Sequence, residues 1–285
     1  MCWLCDSNHG IWNARRAFLL SAGVGVAAPV LAQVDVGKAS GFRKFVSAEQ
    51  LEAAAAQQYQ QMMGEARGQR ALAPENHPQL QRLRAIAQRI IPHATQWNSR
   101  ASHWRWEVNL IGSKQINAYC MPGGKIAFYT GMLEQLQLTD DEAAMVMGHE
   151  MAHALREHAR ERIGKTQATS IGLSLGAQLL GLGDLGNMGA KLMTQYLALV
   201  YSREDESEAD LVGLELAARS AYLPQAGASL WRKMAAVKGG SAGNKGGTDI
   251  AKFFSTHPSG PDRIRDLEAN APKVQALYEQ ALKGG

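Results

Sequence analysis

Apolar residues recur with helical spacing over much of this chain, which predicts a mainly helical protein. Between residues 78 and 91 they lie three or four positions apart, as in an amphipathic helix that packs on a core. The residues in this pattern are Leu80, Leu83, Ile86, Ile90 and Ile91. Residues 46–67 are rich in Ala, Gln, Glu and Met, which favour helix formation, and predict another helix.

Strand spacing is found in residues 104–129. Trp104–Leu110 alternates between apolar and polar side chains, which predicts a strand. Residues 115–121 and 125–129 contain β-branched and aromatic residues and are separated by Pro122-Gly123-Gly124, which predicts a β-hairpin. One small antiparallel sheet is therefore expected, whose edge either binds an extended polypeptide or only covers the helices.

The longest predicted helix spans residues 139–162. Thr139 followed three residues later by Glu142 forms a capping box, which marks the start of the helix. Residues 143–147 are apolar nearly all round the helix, so this turn is expected to be buried. Soon after it comes His-Glu-Met-Ala-His at residues 149–153, which places two histidines and a carboxylate in an apolar environment.

The two histidines of this sequence, His149 and His153, are four residues apart and lie on one face of the helix. Their ring nitrogens can bind one metal ion, and Glu150, about 100° round the helix from His149, can take a proton from a metal-bound water. The alternative is a pair of core histidines held by hydrogen bonds. It requires a buried partner for each of these three polar groups, so the metal site is favoured.

An acidic stretch further along the chain can supply a third metal ligand. A helix is predicted over residues 193–220, and Glu206 and Asp210 lie four residues apart on one face of it. Glu206 can bind the metal while Asp210 accepts the ring N–H of one histidine. On spacing alone Glu204 or Glu208 could be the ligand instead, or the whole run could be a solvated helix face.

Composition and charge are those of an ordinary globular protein. The 285 residues are 46% hydrophobic and 20% charged, which allows a sizeable core, and a single domain is expected over residues 33–285. The formal net charge of +4 is too small and too scattered to favour nucleic-acid binding. Cys120 is expected to be a small buried hydrophobe, because no other cysteine follows residue 32.

The first 32 residues are expected to be an export signal. Arg15 and Arg16 precede an apolar run over residues 17–31, and Ala32 offers a small residue at a cleavage site. The paired arginines favour the twin-arginine pathway, while ordinary Sec export or an uncleaved anchor is also compatible with this segment. The protein is therefore predicted to be periplasmic.

Residues 171–193 are rich in Gly and Leu and are interrupted by Asp184. The glycines weaken any helix and the charge shortens the apolar run, so this stretch is not expected to span a membrane. It is predicted to be a flexible, partly apolar segment that either folds over the site or contacts a membrane surface peripherally.

Four motifs, in this order along the chain, resemble the zinc metallopeptidase family that includes HtpX, BepA, LoiP and the CAAX prenyl protease. They are Asn-Ala-x-x-x-Pro-Gly-Gly, His-Glu-x-x-His, Ser-Arg-x-x-Glu-x-x-Ala-Asp and Thr-His-Pro-x-x-x-x-Arg-Ile. Outside the histidine motif the matching residues are Asn117, Ala118, Pro122, Gly123, Gly124, Ser202, Arg203, Glu206, Ala209, Asp210, Thr256, His257, Pro258, Arg263 and Ile264. The resemblance covers roughly residues 46–267.

The resemblance implies a zincin-like metallopeptidase domain with one zinc ion per chain. It selects Glu206 over its acidic neighbours as the zinc ligand beside His149 and His153, with Glu150 as the catalytic base. It also implies that His257 can bind the zinc as a fourth ligand and hold the enzyme at rest. Alternatively, this histidine only caps the chain before the following proline.

The resemblance further implies how a substrate is bound. By this resemblance, the stretch containing Asn117, Pro122 and Gly123 forms the edge strand above the cleft. The mechanism itself needs a further donor to the oxyanion, and the sequence does not decide between the candidates His257 and Arg263. Misfolded outer-membrane or periplasmic polypeptides are the implied substrates of a stand-alone, soluble catalytic domain. The alternative is a zinc-stabilised chaperone or assembly factor for envelope proteins with little proteolytic activity.

Overall fold

Nine α-helices and one three-stranded sheet make up the parts of the chain that the computed structural model describes, which are residues 34–174, 200–240, 246–258 and 260–284. The helices are α1 (Ala48–Gly68), α2 (Pro78–Ile90), α3 (Thr130–Gln135), α4 (Asp140–Leu155), α5 (His158–Ser174), α6 (Arg203–Arg219), α7 (Ala226–Gly240), α8 (Gly246–Thr256) and α9 (Pro261–Gly284). Short 3-10 helices occupy Gly41–Phe45, Ile91–Gln96 and Ser99–His103. The mainly helical fold class predicted from the sequence is confirmed.

The sheet is mixed rather than purely antiparallel, which corrects one part of the expected architecture. Its strands are β1 (Glu107–Ile111), β2 (Ala118–Met121) and β3 (Lys125–Tyr129), in the spatial order β1-β3-β2. The predicted hairpin is the antiparallel pair of β2 and β3, while β1 pairs in parallel with β3. Because β3 takes the central position, β2 forms one edge. The alternating pattern contains no information on which strand is central.

The helix predicted over residues 139–162 is in fact two helices. α4 begins at the predicted capping box, in which Glu142 N–H donates to Thr139 Oγ1 and the Glu142 carboxylate accepts from Thr139 N–H. α4 ends at Leu155, and Glu157 then adopts a left-handed conformation with φ of +58° that redirects the chain into α5. A non-glycine residue in this conformation leaves no signal in the sequence pattern.

The other long helix begins later than predicted. α6 starts at Arg203 because Ser202 and Asp205 form a second capping box, so residues 200–202 precede the helix. The predicted export segment and residues 175–199, which include most of the Gly- and Leu-rich stretch, lie outside the described residues. Within the described ranges, no helix combines the length and the apolar character needed to cross a membrane.

α4 and α6 approach each other at two glycines, Gly148 and Gly213. A Cβ atom at Gly213 would lie 2.7 Å from the backbone nitrogen of His149, and one at Gly148 would lie 2.8 Å from the carbonyl oxygen of Gly213. Any larger residue would collide with backbone atoms, so glycine permits this close approach. α2, β2 and α7 also pack on α4, which is buried along most of its length. The helix that contains His149 therefore lies within the core.

Replacing Gly213 with Ala is expected to lower the free energy of unfolding by about 1–3 kcal/mol, because the added methyl group meets backbone that cannot rotate away. Urea denaturation measures this change. The matched control is Gly64→Ala in α1, where no atom lies within 4 Å of the added Cβ. This control is expected to stabilise the protein by about 0.5–1 kcal/mol, because Ala has the higher helix propensity. Equal effects at the two positions would contradict the close-packing argument.

Candidate metal centre and active site

Four buried side chains converge on one point. They are His149 and His153 from α4, Glu206 from α6 and His257 from the segment after α8. The two Nε2 atoms of His149 and His153 lie 3.1 Å apart. The carboxylate oxygens of Glu206 lie 3.5 Å and 3.4 Å from these nitrogens, and its Oε1 lies 3.0 Å from Nδ1 of His257. The structure thus brings together the four predicted metal ligands, which we call the metal cluster.

The metal cluster fits a tetrahedral zinc ion. Zinc binds imidazole nitrogens and carboxylate oxygens at about 2.0–2.2 Å, so two ligands of one tetrahedral ion lie about 3.3 Å apart. The separations between His149, His153, Glu206 and His257 described above bracket this value, and Nε2 of His149 lies 3.5 Å from Nδ1 of His257. Imidazoles and a carboxylate are also donors that zinc accepts in catalytic sites. Geometry and donor chemistry therefore agree.

Asp210 supports His149 on the side away from the metal cluster. Its Oδ1 accepts a hydrogen bond from Nδ1 of His149 over 3.0 Å, so Nε2 is the nitrogen that faces the cluster. Burial alone would lower the pKa of His149, but the hydrogen bonds to Asp210 and Glu206 raise it to about 9. The carboxylates of Asp210 and Glu206 therefore favour a positive charge at His149. Either a proton or a bound metal ion can supply that charge.

Glu150 lies beside the metal cluster. Its Oε1 is buried without a hydrogen-bond partner among the described residues and lies 3.7 Å from Nε2 of His257. Burial raises the pKa of this carboxyl group above its ordinary value. An unsatisfied buried carboxylate oxygen destabilises a fold, and such groups are typical of sites that exchange protons. Its position and its pKa both suit a general base.

Arg263 from α9 binds two carboxylates at once. Its Nε and Nη2 donate to the two oxygens of Asp210 over 2.6 Å and 2.7 Å, and its Nη1 donates to Oε2 of Glu206 over 2.5 Å. Its guanidinium also stacks 3.6 Å from the ring centre of Trp231. Burial would raise the pKa of Asp210, but the charge of Arg263 holds it below the usual range. The N–H groups of Arg263, which was suggested as a donor to an oxyanion, are therefore engaged with carboxylates.

Comparison with known proteins gives the family. The sequence profile described as Peptidase family M48 matches residues 77–271, which contain the whole metal cluster. The chain belongs to peptidase family M48. It is 35% identical over 221 residues to the mitochondrial metalloendopeptidase OMA1 of Schizosaccharomyces pombe, a match that covers 78% of this chain and 61% of that protein.

Two Escherichia coli proteins are more distant M48-like relatives. The chain is 26% identical over 204 residues to the metalloprotease LoiP, which covers 69% of this chain and 72% of that protein. It is 24% identical over 224 residues to the β-barrel assembly-enhancing protease, which covers 72% of this chain and 42% of that protein. The chain spans about three fifths of the length of the S. pombe OMA1 protein.

Membership of family M48 confirms the resemblance inferred from the four motifs. It also confirms the zincin-like metallopeptidase fold and the metallopeptidase class. M48 metallopeptidases use zinc, and the metal cluster can hold that ion. Family membership and the cluster together confirm the predicted zinc cofactor.

The acidic run of this M48 chain is divided among different tasks. Glu206 lies in the metal cluster, whereas Glu204 is exposed and Glu208 forms an ion pair with Arg156. Asp205 caps the start of α6. Of the three glutamates that spacing left open, Glu206 is the one that joins the metal cluster, because it lies on the face of α6 that meets α4.

Three side chains next to the M48 metal cluster were not predicted from the sequence. The ring of Tyr201 stacks on His153 with centroids 3.9 Å apart, and Nε1 of Trp231 donates to Oδ1 of Asp210 over 3.3 Å. Nδ1 of His158 lies 2.9 Å from Nδ1 of His153. Tyr201 and His158 lie within a few residues of two motifs, which is a signal that sequence reasoning could have used. Trp231 lies far from every motif along the sequence, so no such signal points to it.

The predicted substrate strand lies at the edge of the sheet, and α4 packs against it. The carbonyl of Asn117, just before β2, accepts a hydrogen bond from Tyr129 N–H over 3.0 Å. Pro122 and Gly123 form the turn after β2, where Gly123 needs the left-handed conformation with φ of +83°. Pro122 and His153 line the same narrow apolar cavity. The first residue of the turn therefore faces the same cavity as one residue of the metal cluster.

Proposed function

We propose that this protein is a zinc-dependent endopeptidase of the bacterial cell envelope that hydrolyses misfolded or misassembled proteins. The observation that carries the proposal is the buried metal cluster with Glu150 beside it, whose Oε1 has no hydrogen-bond partner among the described residues. Metal ligands and a general base at one point are the two components that metal-assisted hydrolysis of a peptide bond requires.

The catalytic groups follow from this arrangement. His149, His153 and Glu206 would hold the zinc ion. Zinc bound there supplies a Lewis acid that polarises a carbonyl group and lowers the pKa of a water molecule. Oε1 of Glu150 takes a proton from the attacking water and returns it to the leaving nitrogen. Burial favours the protonated form of Glu150 and so keeps that proton available for return.

The residues around the metal cluster hold these groups in place. Asp210 orients His149, and Arg263 fixes the carboxylates of both Asp210 and Glu206. Arg263 is thus a positioning residue, which leaves His257 as the candidate donor to the oxyanion. The oxyanion role is the alternative to a role of His257 as a fourth ligand that holds the enzyme at rest, and it requires that the ring leave Glu206 when substrate binds.

The edge strand β2 is proposed to bind the substrate. The stretch from Asn117 to Gly123 contains this strand, which pairs with β3 on one side only among the described strands. An extended polypeptide can add its main chain to such an edge with little dependence on its side chains. Binding of this kind suits an enzyme that acts on unfolded segments of many proteins.

The proposed envelope location rests on the export features of residues 1–32 and on similarity to two E. coli proteases. One of these relatives is named for enhancing β-barrel assembly, which supports outer-membrane proteins as substrates. The mitochondrial relatives support the peptidase chemistry without indicating this location. Cleavage near Ala32 would leave a mature chain that begins at residue 33.

Removal of zinc with a chelator is expected to abolish cleavage of casein, because the substrate carbonyl then has no Lewis acid. One equivalent of zinc should restore it. Metal analysis should find one zinc ion per chain, and the melting temperature should fall on its removal, since the ion binds the folded protein. Full activity of the zinc-free protein would contradict the proposal.

Replacing His257 with Ala is expected to increase cleavage of casein several-fold, because Nδ1 of this histidine lies 3.0 Å from Glu206 and occupies a ligand position. The zinc content should stay at one per chain, since three ligands remain. A decrease in activity with unchanged zinc would instead favour the oxyanion role. Rates at saturating casein distinguish the two results.

A second candidate is a zinc-stabilised chaperone or assembly factor whose proteolysis is normally off. It is favoured by the position of His257, which fills a ligand position of the metal cluster. The discriminating experiment asks whether a Glu150→Gln protein still supports assembly of outer-membrane proteins in cells. Full function of that variant would favour the chaperone, and loss of function would favour the peptidase.

A further inference from the structure

His158 is a buried histidine that the proposed mechanism does not use. It is the first residue of α5, directly after the left-handed turn at Glu157, and only 1% of its surface is exposed. Its Nδ1 lies 2.9 Å from Nδ1 of His153, and its Nε2 lies 3.6 Å from Oε2 of Glu208. Oε1 of Glu208 accepts a hydrogen bond from Nε of Arg156. Four side chains thus form a line that leads away from the metal cluster.

The protons along this line follow from the chemistry of imidazole. If His153 gives the lone pair of Nε2 to a metal ion, its one ring proton is on Nδ1. Nδ1 of His158 must then accept a hydrogen bond from that proton, which leaves the proton of His158 on its Nε2. Among the described residues no hydrogen-bond partner reaches this Nε2, and the charge that faces it is the carboxylate of Glu208, whose Oε2 lies 3.6 Å away and favours a proton on this nitrogen.

We propose that His158 is a positioning residue that holds His153 in the tautomer able to bind zinc, and that Glu208 and Arg156 fix the tautomer of His158 in turn. This inference rests on the proposed zinc site and extends it to the residues behind one of its ligands. Glu208 forms an ion pair with Arg156, so its carboxylate presents negative charge toward Nε2 of His158.

The two histidine ligands of α4 are thus supported by different groups. His149 donates to the carboxylate of Asp210, whereas His153 donates to a neutral imidazole. A carboxylate partner adds negative charge beside its histidine, and an imidazole partner orients the ring without doing so. The site already contains the carboxylates of Glu206 and Asp210. An imidazole behind His153 orients this ligand without a third buried charge in contact with it.

The first test compares the zinc affinity of the wild type, His158→Leu and His158→Asn by competition with a chelator of known affinity. Leu keeps an apolar side chain and removes the acceptor, while Asn keeps a carbonyl oxygen near the position of Nδ1. We expect the Leu substitution to weaken zinc binding about 10–100-fold and the Asn substitution to recover most of the loss. His103→Leu, at an exposed histidine, is the control and should leave zinc affinity unchanged.

Thermal unfolding of the zinc-free variants separates positioning from packing. If the Leu and Asn variants lost zinc affinity equally, and their zinc-free forms were also destabilised equally, His158 would contribute only by packing. Unchanged zinc affinity in the Leu variant would also overturn the proposal. A wild-type protein that binds no zinc would instead overturn the proposed zinc site itself.

A second test reads the tautomers directly in the wild-type protein, so it does not depend on the variants folding. Nitrogen-15 NMR of the histidine-labelled, zinc-loaded protein distinguishes a protonated ring nitrogen from an unprotonated one. We expect the ring proton of His153 on Nδ1 and that of His158 on Nε2. A proton on Nδ1 of His158 would overturn the proposal.

Discussion

The Glu150→Gln protein is expected to cleave casein about 10²–10⁴-fold more slowly than the wild type, which is the usual contribution of a general base. Gln has nearly the same shape but cannot take a proton from water. Glu150 lies outside the metal cluster, so the variant should still contain one zinc ion per chain. The measurement pairs the initial rate of casein cleavage with metal analysis of the same sample.

The control for this prediction is Glu206→Gln. Glu206 lies in the metal cluster, so its loss should reduce zinc content together with activity. Glu150→Gln should reduce activity alone. If Glu150→Gln lost zinc as completely as Glu206→Gln, Glu150 would have to be reassigned as a ligand. If it cleaved casein at the wild-type rate, the proposed mechanism would be wrong.

Replacing Arg263 with Met is expected to lower the free energy of unfolding by about 3–5 kcal/mol, or the melting temperature by roughly 10 °C. Arg263 neutralises Asp210 and Glu206, which are buried and would remain as two charges without their cationic partner. The loss should be larger in zinc-free protein, because a bound zinc ion also offsets the charge of Glu206. Denaturant unfolding with and without zinc measures both values.

Two further variants make this prediction specific. Arg265→Met removes an arginine two residues away whose side chain is 72% exposed, and its effect should stay within about 0.5 kcal/mol. Adding Asp210→Asn to Arg263→Met should recover part of the lost stability, because one of the two buried charges disappears. No recovery would show that Arg263 acts through packing on Trp231 instead of through charge.

The helices and the histidine motif could be predicted because they depend on neighbouring residues. Residues 78–90 have an apolar face at helical spacing, and the structure has α2 there. The capping box of Thr139 and Glu142 marked the start of α4, since both hydrogen bonds join residues three positions apart. His149 and His153 share a face for the same local reason.

The sequence was less informative wherever one residue changes the direction of the chain. The left-handed conformation of Glu157 ends α4 and places His158 behind His153, yet helical spacing continues through this point. β1 pairs with β3 in parallel because β3 is central, and alternation within a strand carries no information on its neighbours. Both features are set by packing against distant parts of the chain.

By itself, the sequence determined the helical class, the His-Glu-x-x-His face and, through its motifs, the metallopeptidase family. Only the tertiary structure decided which groups complete the site. Asp210 is 61 residues from His149 and His257 is 108 residues away, yet both lie within hydrogen-bonding distance of it. Helix periodicity reaches only about four residues along the chain, whereas these contacts depend on the close approach of α4 and α6 at Gly148 and Gly213.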